Sequence, residues 1–321
     1  MSAPLRLALL GCGQAARLNG SALRKLRSAV ECWYVSRDPA RAAEFCAQLG
    51  GRGTFTSYGA ALESQDVDGV LVLTPPDEHL DWTLRALEAG KHVVVEKPPF
   101  LRSSDFDAVE AAARRASRRV LVAENYYYKP LAYKLRRLIG DGAIGEVRFV
   151  YVNALKEQRV TGWRTDVARA GGGALFEGGI HWVNLMANLG LEVRTARGAA
   201  PSAAGPERSL LAVFEYHAGA LGALYHSWEI PSPLKGLRIS RIYGSKGSIA
   251  FESNGLGVMS WGARKGLWIP GLTDLTGRQA MWRDFVKAMN ANEEPEFGLV
   301  RARRDMQLIE SIYASLPGGP A

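Results

Sequence analysis

Short apolar runs alternate with amphipathic stretches through the first third of the chain, the pattern of a parallel sheet covered by helices on both faces. The runs predicted as strands are Leu5–Leu10, Val30–Val35, Gly69–Thr74, His92–Glu96 and Val120–Ala123. Helical periodicity and end signals place helices between them at Ala15–Ser28, Pro39–Leu49, Glu78–Ala89 (closed by Gly90) and Ser104–Ser117. After Pro130 the texture changes. A helix is predicted at Leu131–Ile139, and another after Gly171-Gly172-Gly173 running to Asn188. The rest is long strand candidates: Val147–Leu155, Leu210–Tyr216, Ala220–Ile230, Arg238–Tyr243, Ser248–Phe251 and Val258–Trp261. Short polar or glycine-containing breaks such as His217-Ala218-Gly219 imply hairpins, hence a mostly antiparallel sheet. Helices at Gln279–Ala291 and Val300–Ser315 close the chain. The predicted organisation is α/β in two domains, 1–123 and 124–321, with the boundary near Ala123–Pro130.

Composition narrows the class. With 321 residues, 47% of them hydrophobic and 22% charged, the chain has enough apolar material for two cores. No apolar run approaches the roughly 18 to 20 residues needed to span a bilayer. The opening Met1-Ser2-Ala3-Pro4 lacks the features of a signal peptide, so a cytoplasmic protein without membrane partners is expected. Cys12, Cys32 and Cys46 have neither disulfide-framework nor metal-ligand spacing, so no metal is assigned. The formal charge of +8 comes from scattered Lys and Arg residues with no nucleic-acid motif. A basic surface suits an anionic cofactor or substrate instead.

The chemistry begins with Gly11-Cys12-Gly13-Gln14-Ala15-Ala16, which follows a predicted strand and opens a helix. In that context Gly11 permits the tight turn, Gly13 lets the backbone approach a pyrophosphate, and Ala16 keeps helix and strand close. The amides of Gln14, Ala15 and Ala16 at the helix start face the phosphates. At the end of the second strand an acid would bind both ribose hydroxyls of NAD, but Ser36 and Arg37 stand there, a hydroxyl and a guanidinium suited to a 2′-phosphate. NADP is therefore favoured, with NAD kept open by Asp38 and by the alternative that Arg37 stacks on adenine. Lys97 follows the apolar strand in Val93-Val94-Val95-Glu96-Lys97-Pro98-Pro99. An ammonium there suits proton exchange with a substrate hydroxyl while a hydride moves the other way, and Glu96 is placed to pair with or orient it. Downstream, Glu177 and His181 stand four apart on a predicted helix and share a face, which Asn184 extends. A carboxylate holding an imidazole fixes a proton-transfer group, although a structural histidine has the same pattern.

Together these segments resemble the Gfo/Idh/MocA oxidoreductases, the glucose-fructose oxidoreductase and inositol dehydrogenase group. The likeness is carried by Gly11-Cys12-Gly13, Thr74-Pro75-Pro76 with His79, Ala89-Gly90-Lys91-His92-Val93 leading to Glu96-Lys97-Pro98, Gly142-Ala143-Ile144-Gly145-Glu146, Trp163-Arg164, the triple-glycine helix with His181, and Tyr243-Gly244-Ser245-Lys246-Gly247-Ser248. The resemblance implies a Rossmann domain followed by an α/β domain on a large open sheet that supports homodimers or homotetramers. It implies that Lys97 and His181 contact the reacting carbinol, and that Thr74, Pro75, Pro76, His79, Glu96 and Asn125 line the nicotinamide side, with Trp163 and Arg164 also assigned to the cofactor. It further implies a cis Lys97–Pro98 bond. Three departures stand out: Glu177 where Asp is common, Asn184 where Asp is frequent, and Tyr127 in place of an Arg within Glu124-Asn125-Tyr126-Tyr127-Tyr128-Lys129-Pro130. Tyr127 and Asn184 are thereby candidates for contacting substrate.

The leading expectation is an NAD(P)-dependent oxidoreductase acting on a secondary alcohol or ketone of a sugar, polyol or related cyclic compound. Lys97 takes the hydroxyl proton, His181 holds the oxygen or shares the transfer, and Glu177 orients His181. Two alternatives are a redox-neutral cycle on a retained cofactor, as in elimination or glycoside cleavage, and a dinucleotide sensor without turnover.

Overall fold

The computed structural model describes residues 3–201, 206–232 and 236–316. The chain forms two compact units. One comprises the residues up to Glu124 together with Arg278–Arg303; the other comprises Asn125–Gly277 together with the stretch from Arg304 onward. The sequence pattern suggested one crossing near Ala123–Pro130, whereas the chain crosses again after Gly277 and after Arg303.

In the first unit the elements run β1 (Leu5–Leu10), α1 (Gln14–Arg24), β2 (Val30–Val35), α2 (Pro39–Leu49), β3 (Gly53–Phe55), α3 (Tyr58–Glu63), β4 (Gly69–Val72), α4 (His79–Glu88), β5 (His92–Val95), α5 (Asp105–Ala116) and β6 (Val120–Val122). Six parallel strands lie in the order β3-β2-β1-β4-β5-β6. Leu7, Leu9, Val70, Val72, Val93 and Val95 are wholly buried, as expected for strands covered on both faces. Burial of each such side chain contributes roughly 1.5–3 kcal/mol. Register aligns the strand ends: Leu10 pairs with Val35 and Val72, Val72 with Val95, and Val95 with Val122. Gly11, Ser36, Leu73 and Glu96 therefore leave the sheet along one edge, and the order reverses between β1 and β4, where open α/β sheets bind ligands.

The second unit holds α6 (Pro130–Gly140), β7 (Val147–Leu155), α7 (Val167–Ala170), α8 (Ile180–Ala187), β8 (Val193–Ala199), β9 (Ser209–Tyr216), β10 (Leu221–Ser227), β11 (Ile239–Gly244), β12 (Gly247–Glu252), β13 (Val258–Trp261) and β14 (Gly266–Trp268). Its eight strands are ordered β14-β13-β12-β11-β7-β10-β9-β8, antiparallel except for the β7–β10 pair. Gly219, at a positive φ of 81°, turns the β9–β10 hairpin. α8 packs on β7 and β10 on one face. The opposite face exposes Phe149, Tyr225, Tyr243, Met259 and Trp261.

Two helices close the chain, α9 (Arg278–Ala291) and α10 (Leu299–Ala314). α9 packs against α1 and buries Met281, Trp282 and Phe285, which is why its segment groups with the first unit. Among the described residues no helix is long and apolar enough to cross a membrane.

Candidate active site

The turn after β1 has the conformation its glycines require. Gly11 sits at φ 120°, and a Cβ there would meet the Leu73 carbonyl oxygen at 3.1 Å. Gly13 is the N-cap of α1 and offers no side chain to the helix amides; a Cβ built on it would meet no atom within 4 Å. The amides that open α1 thus face open space without a side-chain cap, a cradle that suits an anion. Ala16 is buried against the sheet, but the tightest approach along α1 is at Gly20, whose Cβ would meet Leu49 and the Tyr34 hydroxyl at 2.7 Å. Gly20 thus allows α1 to pack closely on both α2 and β2, beside Ala16, to which the sequence assigned the close approach of helix and strand.

At the end of β2, Ser36 and Arg37 emerge beside Asp38. The Asp38 carboxylate accepts the amides of Ala40 and Arg41 at 3.0 and 3.4 Å and so caps α2. Its own amide donates to Ser36 Oγ at 3.2 Å. Arg37 is exposed and close to Tyr58, whose phenol burial shifts up while the Arg37 guanidinium opposes that shift. Arg41 plays the same part for Cys12: burial pushes the thiol up to about 11, against the pull of the Arg41 guanidinium. Two guanidinium groups therefore stand near the carboxyl edge of the sheet. Arg41 was missed by sequence reading because its relevance depends on the phase of α2.

Thr74, Pro75 and Pro76 follow β4. The Thr74 hydroxyl is buried and has no partner among the described residues, as an atom waiting for a ligand group would be. His79 is wholly enclosed, with Nε2 2.8 Å from the Thr74 carbonyl and Nδ1 2.9 Å from the Pro98 carbonyl. Burial lowers its pKa, partly offset by those carbonyls. The ring thus lies between the carbonyls of the loops that follow β4 and β5, and the neutral imidazole donates its one N–H to one of them. The Lys97–Pro98 bond is cis. Glu96 Oε2 accepts the Lys97 backbone amide at 2.9 Å, so the carboxylate orients the lysine through its main chain. The uncapped cradle and the unpartnered Thr74 hydroxyl, both near one sheet edge, fit a dinucleotide.

In the second unit the glycine-rich segment is explained by crowding. A Cβ on Gly173 would overlap Glu207, one on Gly178 would lie 2.9 Å from the Trp228 ring, and one on Gly179 would lie 2.7 Å from Leu175. Leu175–Gly179 forms a π-helical turn that leads into α8, a local widening often found at functional sites. Its start is held by Glu207, which accepts the Leu175 amide at 2.7 Å, and by the Tyr313 hydroxyl, which accepts the Phe176 amide at 3.1 Å. Glu177 lies in the widened turn and accepts Arg164 Nε at 3.0 Å. Arg164 in turn lies over the Trp163 ring. Within this unit Trp163 and Arg164, assigned from the resemblance to the cofactor, form a brace on Glu177.

His181 opens α8 and is half-buried. The Tyr126 ring stacks on its imidazole at 4.2 Å between centroids and 10° between planes, and meets Trp182 edge-on. The Lys129 ammonium lies 4.2 Å from the centre of the same tyrosine ring. Tyr126 is therefore the tyrosine tied to the imidazole. Tyr127, singled out from the sequence, is buried with Arg136 over its ring. Asn184 and Asn125 also have structural partners. Asn184 is fully buried and donates to Asp305 on α10 at 2.7 Å, while its Oδ1 has no partner among the described residues. Asn125 is buried and donates to the Thr276 carbonyl at 2.6 Å, next to Gly277, where the backbones approach too closely for any Cβ.

Comparison with known proteins gives a consistent picture. The family model described as "Oxidoreductase family, NAD-binding Rossmann fold" matches residues 5–124, and the model of the "GFO/IDH/MocA C-terminal domain" matches residues 133–250. The chain is 35% identical over 187 residues to a dTDP-3,4-didehydro-2,6-dideoxy-alpha-D-glucose 3-reductase of Saccharopolyspora spinosa, covering 56% of this chain and 54% of that protein. It is 30% identical over 186 residues to the D-glucoside 3-dehydrogenase of Escherichia coli, covering 57% and 53%. The matches thus span about half the length of each of these relatives. Among solved structures, an oxidoreductase domain protein from Kribbella flavida superposes with a TM-score of 0.83 at 25% identity, over 98% of this chain and 97% of the other. An aldose-aldose oxidoreductase from Caulobacter crescentus shares the fold at a TM-score of 0.85 and 23% identity, over 97% of each chain.

Proposed function

This chain belongs to the Gfo/Idh/MocA oxidoreductase family, and we propose that it interconverts a secondary alcohol and a ketone on a sugar, polyol or related cyclic compound with a nicotinamide dinucleotide. The observation that carries this reading is the Lys97 turn: an amine follows β5, a strand buried along its whole length, with its main chain gripped by Glu96 and the next carbonyl beside His79. The bound nicotinamide supplies or takes up the hydride. Lys97 takes the hydroxyl proton in the oxidative direction and returns it in the reductive one. His181 holds the reacting oxygen with a ring whose plane Tyr126 sets, and Glu177 contributes negative charge while braced by Arg164.

Two relatives are named for chemistry at position 3 of a sugar, so pyranosides and 3-ketopyranosides head the substrate panel. The test is absorbance at 340 nm with each compound and each cofactor, preceded by a thermal-shift screen for binding. A net change with at least one pyranoside is expected. Cofactor binding with no change across the panel would overturn the reading and favour a sensor, whereas substrate loss without net change would favour a redox-neutral cycle.

NADP is the proposed dinucleotide. Asp38, the acid nearest the ribose position, is directed at the amides of α2, and Arg37 and Arg41 supply positive charge for a 2′-phosphate. We also propose that a second copy of this chain covers the apolar face of the large sheet, where Trp261 is 64% exposed and Phe149 55%. Light scattering that gives the mass of a monomer would remove that assembly.

A further inference from the structure

Within the first unit, hydrogen bonds run from the returning helix α9 to the main chain of Lys97. The Trp282 indole N–H donates to Asn19 Oδ1 at 3.0 Å. Asn19 Nδ2 donates to Glu96 Oε1 at 2.9 Å and to the Ala15 carbonyl at 3.1 Å. Glu96 Oε2 accepts the Lys97 amide at 2.9 Å. Trp282 and Asn19 are both fully buried.

Each link has a fixed polarity. An indole only donates and a carboxylate only accepts. The Asn19 amide therefore has one orientation that satisfies both neighbours, and turning it over would set an NH2 against the indole N–H and an oxygen against the carboxylate. Such a chain transmits position well, because a wrong arrangement leaves buried polar groups unpaired. On the far side of the lysine, His79 holds the Pro98 carbonyl. A lysine stem has several free torsions, so the place its ammonium can reach depends on how firmly its main chain is anchored.

We propose that Asn19 and Trp282 are positioning residues for Lys97, acting through Glu96, so that a helix from the far end of the sequence sets where the amine sits. This rests on the reading of Lys97 as the proton-transfer group. Asn19 lies on α1, whose first amides form the phosphate cradle, so one helix serves both cofactor and lysine.

The test uses the full chain with four variants. Asn19→Asp keeps the shape but turns a donor into an acceptor facing Glu96, and Trp282→Phe keeps the ring and removes the N–H. Glu96→Gln disturbs the link from the other side, and the Asn19→Asp/Glu96→Gln pair restores one donor and one acceptor in exchanged places. Expected are a fall in kcat of about 10- to 100-fold for Asn19→Asp and about 3- to 10-fold for Trp282→Phe, with cofactor Kd changed less than about threefold. The double variant recovers part of the loss in Asn19→Asp. A purely structural role would not move a second readout, the pH midpoint for labelling of Lys97 by an amine-reactive reagent, read by peptide mass in protein without cofactor. That midpoint is expected to shift in Asn19→Asp and in Trp282→Phe, the latter without any change of charge, and to return toward the parent in the exchanged pair. If labelling and kcat are unchanged, or if kcat falls only in step with thermal stability while labelling stays fixed, the relay is overturned. Should Asn19→Asp fail to fold, Trp282→Phe decides by the same two readouts. Lys97→Ala measured alongside separates the two ideas: full turnover there defeats the lysine reading, while the labelling result still judges the relay.

Discussion

Lys97 and His181 are held in different ways. The lysine's main chain is held by hydrogen bonds, at its own amide and at the carbonyl of the following proline. The imidazole is fixed by its ring, pressed against the face of Tyr126 beside the widened turn that ends at Gly179. A group held by its backbone is set in position, and one held by its ring is set in orientation. On the proposed mechanism, removing the first takes away the proton carrier, whereas loosening the second only broadens the angles at which it acts.

The largest expected effect follows directly. Lys97→Ala lowers kcat by roughly two to four orders of magnitude, the usual scale for a lost general acid or base, while leaving cofactor Kd and melting temperature near the parent's. Stopped-flow turnover and fluorescence titration of the cofactor check it, and unchanged turnover would erase the distinction between the two regions. Next comes the charge at the end of β2. Loss of Arg37 and Arg41 together should lower kcat/KM with NADP about 10- to 100-fold, the scale of one or two charge-assisted hydrogen bonds at about 1.5–3 kcal/mol each, with little change for NAD. A parent enzyme that prefers NAD strongly would sink the NADP assignment. A smaller effect is predicted at the imidazole. Tyr126→Leu removes a stacked ring worth about 0.5–1.5 kcal/mol, so kcat should fall about threefold to tenfold with KM nearly constant. A loss as large as that of Lys97→Ala would mean that Tyr126 itself does chemistry.

The same contrast explains which parts of the site were legible in the sequence. The turn at Gly11-Cys12-Gly13 and the Glu96-Lys97-Pro98 run are local: a strand end, a turn and a helix start follow one another in the chain, and β1 and β2 occupy the predicted ranges. Strands β3, β8 and β14 gave no signal because they are short or polar strands at sheet edges, where one side has no neighbour to bury against. The partners of the second region are distant in sequence. Nothing in the glycine-rich segment announces that Glu207 and Tyr313 cap it, or that Tyr126 stacks on His181. Asn184 and Asn125 show the same limit: both were assigned to ligands from the sequence, and their amides donate to the carboxylate of Asp305 and the carbonyl of Thr276, partners that stand far away in the chain.

A final prediction sharpens the second region at its base. His226 on β10 is fully enclosed, and neither ring nitrogen has a partner among the described residues. Burial, reinforced by the Lys156 and Arg238 charges, lowers its pKa to about 3 from the ordinary 6.5. Between those values the unfolded chain binds a proton that the folded chain refuses. The stability that this group contributes is complete above about pH 6.5 and is lost as pH falls toward 3, at about 1.4 kcal/mol per unit. His226→Leu removes the titration without breaking a hydrogen bond, so urea denaturation should show the variant gaining about 2 kcal/mol on the parent between pH 7 and pH 5. His92, held down to about 4 chiefly by burial, adds the same acid slope to both proteins and cancels in the difference. Glu177 and His181 are among the charges that His226 feels, so a neutral His226 adds no positive charge to their surroundings. If parent and variant lose stability in parallel, His226 takes up its proton in the folded protein as readily as in the unfolded chain, and burial does not hold its ring neutral.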